Sequence, residues 1–135
     1  MTSGERPVRA RGVLGLDPDA CTVCMLCVRE CPDWCIEIEG HVETLPADSE
    51  HARPRSVNVL DRFVVDFGLC LYCGICVEVC PFDALHWAPQ AEYAGRGRSD
   101  LRHGAEQLTR WDSDAPPPAA LDDRAVPLDP GPRRR

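Results

Sequence analysis

Apolar and polar positions along this chain fall into two similar blocks joined by a polar connection. Each block reads as a strand, a cysteine-bearing loop, one or two helical turns and a second strand. Phe63, Val64, Val65 and Phe67 supply the β-branched and aromatic content that marks a strand over Arg62 to Asp66, just ahead of the second loop. Further strands are predicted at Ile36 to Glu39, after the first loop, and at Leu85 to Trp87, after the second. The connection from Glu43 to Ser56 carries Pro46, Pro54 and charges of both signs, which predicts a surface loop.

The blocks match each other at an offset of 49 residues. Asp17 falls on Asp66, Val28 on Val77, Pro32 on Pro81, and four cysteines of one block on four of the other. Beyond Pro89 the pattern changes. Ser99 is a candidate N-cap, and Leu101, Ala105, Leu108 and Trp111 recur on one face of a short helix. Such a helix either folds back on its own domain or lies on a partner. The stretch after it holds Pro116-Pro117-Pro118 and closes on three arginines, a composition that reads as disordered.

Composition narrows the chemistry. The 135 residues include nine cysteines, 10 glycines and 13 prolines, so the compact part is one small domain that needs staples. An odd cysteine count and the lack of an apolar run behind the basic opening residues argue against a secreted disulfide framework. The longest uncharged stretch, Phe67 to Val77, is too short to cross a bilayer, which takes roughly 20 apolar residues. The net charge of -7, with every cation an arginine, argues against nucleic acid. Most of the acidity sits between residues 17 and 90, where all nine cysteines lie.

The cysteine spacing decides the chemistry. Cys21-x2-Cys24-x2-Cys27-x3-Cys31-Pro32 is repeated as Cys70-x2-Cys73-x2-Cys76-x3-Cys80-Pro81. In this run three thiolates meet three corners of one 4Fe-4S cubane, and the fourth cysteine, a helical turn further on, serves the other cluster. One cluster is therefore expected on Cys21, Cys24, Cys27 and Cys80, and a second on Cys70, Cys73, Cys76 and Cys31. Zinc, the competing use, takes four cysteines and leaves part of each run unexplained. Proline after each fourth cysteine stops the short helix. Gly74 admits backbone close to a cluster, whereas its counterpart Met25 does not match, so the two sites should differ in environment.

The ninth cysteine, Cys35, falls on Ala84 in the repeat and is expected to be a small buried residue. The four histidines, His41, His51, His86 and His103, show no ligand spacing and read as surface or packing residues. Trp34, Tyr72, Phe82 and Trp87 are placed to keep water from the clusters. No Rossmann fingerprint, P-loop or nucleophile with its base is present, so the expected role is electron transfer without a substrate pocket. The expected fold is α+β: a ferredoxin-like pseudo-twofold domain around two 4Fe-4S clusters over residues 13–92. A flexible arm (1–12) precedes it; a possible docking helix (93–113) and a disordered, mostly irregular tail (114–135) follow.

Residues 13–92 resemble subunit I of NADH-quinone oxidoreductase, the two-cluster subunit of respiratory complex I. The specific part is NVLDRFVVDFGLCLYCGICVEVCPFDAL at 58–85, where that family shows an aromatic-rich strand followed by CxxCGLCVEVCPxxAL. The resemblance implies a relay that passes electrons towards quinone. The chain would be a peripheral subunit among other complex subunits on the cytoplasmic side of the cell membrane. The alternatives are an independent soluble carrier and the ferredoxin-like subunit of a related membrane hydrogenase.

Overall fold

The computed structural model describes residues 10–47, 53–89 and 95–116. His51, most of the N-terminal arm and nearly all of the tail lie outside them. Strand β1 (Val13–Leu16) leads to the first cysteine loop and helix α1 (Leu26–Arg29), then strand β2 (Ile36–Leu45). Strand β3 (Arg55–Asp66) leads to the second loop, helix α2 (Ile75–Val79) and strand β4 (Leu85–Ala88). Strand β5 (Arg102–Gly104) and helix α3 (Ala105–Asp112) complete the chain.

The pairing crosses between the blocks. The strand before the first loop, β1, pairs antiparallel with the strand after the second, β4; β2 pairs antiparallel with β3. The register sets Leu14 opposite Trp87, Leu16 opposite Leu85 and Ile38 opposite Phe63. With the 49-residue offset, the Leu14/Trp87 pair is the twofold mate of the Phe63/Ile38 pair. Backbone bonds follow the same symmetry. The Asp17 N–H donates to the Ala84 carbonyl at 2.9 Å, and the Asp66 N–H to the Cys35 carbonyl at 2.8 Å.

Each cysteine loop opens on a matching turn. Asp17 Oδ1 accepts from the Asp19 and Ala20 amides, and Asp66 Oδ1 from the Gly68 amide at 2.9 Å. A carboxylate that binds amides just downstream offers the backbone a turn in place of further strand. Asp66 is buried, and Arg98 and Arg102 stand 3.8 and 4.0 Å from it.

Two stretches differ from the sequence expectation. β2 runs on to Leu45 and β3 begins at Arg55, so the connection taken as loop from Glu43 is strand at both ends. The ladder continues through Val42 opposite Asn58 and Thr44 opposite Ser56, past a register shift at Glu39/Gly40. Its outer part is exposed, so no apolar alternation announces it. The helix expected from Ser99 begins instead at Ala105. Residues 98–101 form a 3-10 turn, and Arg102–Gly104 add a third strand to the sheet on Val64–Asp66.

Helix α3 folds back on its own domain. Leu108 is fully buried, and Trp111 meets Phe67 and His103 edge-on, at centroid distances of 5.7 and 4.8 Å. His86 Nδ1 lies 2.7 Å from Asp112 Oδ1 and ties α3 to β4. Complete burial of a leucine contributes about 1.5–3 kcal/mol.

Candidate iron-sulfur centre

Two recesses lie against the β1–β4 pair, and each is ringed by thiols from both blocks. Cys21, Cys24 and Cys27 share the first recess with Cys80. Cys70, Cys73 and Cys76 share the second with Cys31, and Cys35 lines it too. Their volumes are about 340 and 300 Å3, partly open to solvent. Leu16, Ile38, Phe63 and Leu85 wall the first; Leu14, Tyr72 and Trp87 wall the second. The β1/β4 face thus reaches both recesses, with Leu16 and Leu85 at one and Leu14 and Trp87 at the other. The crossed strand pairing is what carries the fourth cysteine of each run to the opposite recess.

Local backbone geometry explains how short loops aim several groups inward. Among the described residues six have positive φ: Val23, Met25, Trp34, Tyr72, Gly74 and Asp83. They form three pairs at the 49-residue offset. Five are not glycine, and Val23 is β-branched, so the conformation is strained and held by its surroundings. Left-handed residues set in otherwise right-handed turns direct successive N–H groups into one concavity, which suits an anionic cluster. The Tyr72 amide donates to Cys70 Sγ at 3.4 Å, and the backbone at Val23 bonds Cys21 in the same way. The Ala84 amide donates to Cys80 Sγ at 3.4 Å.

The thiols sense each other. Burial, then the neighbouring sulfurs, push Cys27 and Cys76 up to about 12. Cys27 is among the sulfurs that act on Cys76, so the two recesses adjoin there. Burial also raises Cys21. Cys70 is shifted the other way, because the Cys35 thiol and the Tyr72 amide both donate to it. Cys35 is pushed far up as the donor in that contact and in one to Cys31, with burial adding to the effect.

The residues fit a polynuclear group. Four thiols, amide donors and apolar walls surround a volume at each recess. Among the described residues no group of three or more His, Cys, Asp or Glu side chains closes on a single ion. A cubane spreads its four irons to separated thiolates, so ligands around a volume suit it better than ligands converging on a point.

The remaining sequence candidates divide. Tyr72 and Trp87 line the second recess and Phe82 the first. Trp34 does not shield a cluster: it is 82% exposed. Its left-handed backbone, shared with Asp83, turns it outward. His41 pairs with Asp61 at the surface, while His86 and His103 pack against α3. Cys35 is buried, as the repeat predicts, yet its sulfur lies 3.4 Å from that of Cys31. Its position on Ala84 was the one signal for its place, and that signal did not show the contact.

Comparison with known proteins agrees with this geometry. The 4Fe-4S binding domain family matches residues 63–86, which take in the end of β3, the second cysteine run and the start of β4. NADH-quinone oxidoreductase subunit I 2 of Streptomyces coelicolor is 59% identical over 118 residues, covering 87% of this chain and 60% of that protein. Over most of its length the chain is similar to subunit I. NADH-quinone oxidoreductase subunit I of Pelobacter propionicus is 33% identical over 92 residues, covering 67% of this chain and 46% of the relative. The chain therefore spans about half the length of these subunit I relatives. A 70-residue stretch is also 39% identical to probable oxidoreductase YjgC of Bacillus subtilis, of which it covers 6%. A stretch similar to part of this chain thus lies within a much larger probable oxidoreductase. No helix among the described residues is long and apolar enough to cross a membrane.

Proposed function

We propose that the chain carries two 4Fe-4S clusters, one on Cys21, Cys24, Cys27 and Cys80 and one on Cys70, Cys73, Cys76 and Cys31. It relays electrons towards quinone as a subunit of a complex-I-like NADH-quinone oxidoreductase. The observation that carries this reading is the pair of adjoining four-thiol recesses, each completed by the fourth cysteine of the other run. Each bound cubane would supply one-electron redox chemistry. The protein's own part is to bind the iron, hold the loop amides on the sulfurs and keep apolar walls around both sites.

Helices α1 and α2, which carry Cys27 and Cys76, lie against each other, and this favours transfer between the clusters within one chain. The subunit names of the relatives support association with further subunits of a quinone oxidoreductase. The chain would then sit peripherally on the cytoplasmic face of the cell membrane. The test is anaerobic purification from the native cell with a tag on this chain. About eight irons with matching acid-labile sulfide and two interacting paramagnetic centres on reduction support the cluster assignment. Co-purification of quinone-reducing subunits supports the subunit role. A monomer that is fully active as a diffusible donor overturns that role and leaves the independent carrier.

A further inference from the structure

The two recesses are related by the repeat, yet their hydrogen-bond donors differ in kind. Cys35 and Ala84 are equivalent positions, and each lines its own recess. At the first recess Ala84 contributes only its amide, to Cys80 Sγ at 3.4 Å. At the second, Cys35 brings a thiol. Its Sγ lies 3.4 Å from Cys31 Sγ, and Cys70 lines the same recess. Cys31 and Cys70 are both ligands of the second cluster in the reading above, on which this inference rests.

Ligation and hydrogen bonding make opposite demands on Cys35. The second recess already holds four thiols in the positions that mirror Cys21, Cys24, Cys27 and Cys80, and position 84 carries no thiol in the mirror site. Cys35 is therefore a fifth sulfur beside a complete set. It is buried, with about 4% of its surface exposed. A protonated thiol beside two thiolates has one available role, to donate.

We propose that the Cys35 thiol is a positioning and tuning residue. It donates its one proton to Cys31 and holds the second cluster at a higher reduction potential than it would otherwise have. Donation to a ligand sulfur withdraws electron density from the iron, and reduction adds a negative charge that the donor stabilises more than it stabilises the oxidised state. The electron shared between the clusters is drawn towards the second. Neither a proton nor a bond is transferred; the thiol remains a thiol through the cycle.

The experiment is a redox titration of the anaerobically purified protein, followed by electron paramagnetic resonance. Cys24→Ser and Cys73→Ser assign the signals, since each alters one cluster. Wild-type protein must first show about eight irons and two cubane signals; if it does not, the cluster assignment itself fails and Cys35 is not the cause. In Cys35→Ala the second-cluster midpoint is expected to move to more negative values while the first stays in place, with iron content unchanged. Cys35→Ser keeps a donor and is expected to recover most of the shift. An unmoved second midpoint in the alanine variant overturns the proposal, as does a serine variant that behaves like alanine. Loss of about four irons on Cys35→Ala also overturns it, in favour of Cys35 as ligand or structural support.

Discussion

Met25 and Gly74 stand at the same place in the repeat and share a left-handed backbone, with φ of 64° and 87°, although only one is glycine. Each precedes its short helix, and each accepts from the residue four positions on: Arg29 N–H to Met25 and Glu78 N–H to Gly74, both at 3.1 Å. A left-handed residue with a side chain costs about 1–2 kcal/mol. Met25 bears that cost, and its side chain lines the first recess.

Gly74→Ala should accordingly be harmful. A Cβ there stands 3.2 Å from Trp87 Cζ2, in a conformation that penalises it. A loss of about 1–2 kcal/mol is expected, read as weaker retention of the second cluster with the first little affected. Met25→Gly exchanges strain for chain entropy, which costs about 0.5–1 kcal/mol, so its net effect should stay within about 1 kcal/mol. Iron retention under a chelator challenge measures both; loss of the first cluster in Met25→Gly would contradict the argument.

Crossed ligation makes a prediction that a one-run-one-cluster arrangement does not. Cys80 sits in the second run but lines the recess of Cys21, Cys24 and Cys27. Cys80→Ala should therefore disturb the same paramagnetic signal as Cys24→Ala, and Cys31→Ala the same signal as Cys73→Ala. Spectra that group Cys80 with Cys73 would overturn the assignment.

Much of this arrangement is legible in the sequence because it rests on repetition. The 49-residue offset pairs Asp17 with Asp66 and foretells the matching turns they cap. It also places Cys35 on Ala84. The unread parts lack a local signal. Arg102-His103-Gly104 contains no β-branched residue, and it is strand because the exposed edge of β3 needs pairing. The outer β2–β3 hairpin buries neither face, so alternation cannot mark it. The conformation of Met25 is hidden because its backbone is dictated by the loop around it rather than by its own side chain. Trp34 looked like a shield from its place in the run, but the left-handed turn it occupies sends it outward.

Helix α3 is locked to β1 by a missing side chain. A Cβ on Gly15 would stand 2.6 Å from Asp112 Cα and 2.9 Å from its amide nitrogen, and backbone cannot yield as a flexible side chain can. Gly15→Ala should displace α3 and cost about 1–3 kcal/mol. Leu108→Ala, which empties the same interface, should cost about 2–5 kcal/mol. Faster proteolysis around α3 in both variants, with iron content kept, is the expected readout. Unchanged cleavage would show that the helix does not depend on this contact.

Removal of iron should do far more than either substitution. Five non-glycine residues hold positive φ around the two recesses, each at a cost of about 1–3 kcal/mol, in a domain class whose whole stability is about 5–15 kcal/mol. Apolar packing alone must hold those turns, and the buried core is small: β1, the inner ends of β2 and β3, β4 and Leu108. Thiolate bonds to iron supply the missing restraint, so cluster assembly and folding are one process. Anaerobic chelation of the purified protein should collapse the far-ultraviolet circular dichroism and release the protection of α3 together with the clusters. A native-like spectrum after complete iron loss would show that the strained loops are held by packing, and that the clusters are guests of a preformed fold.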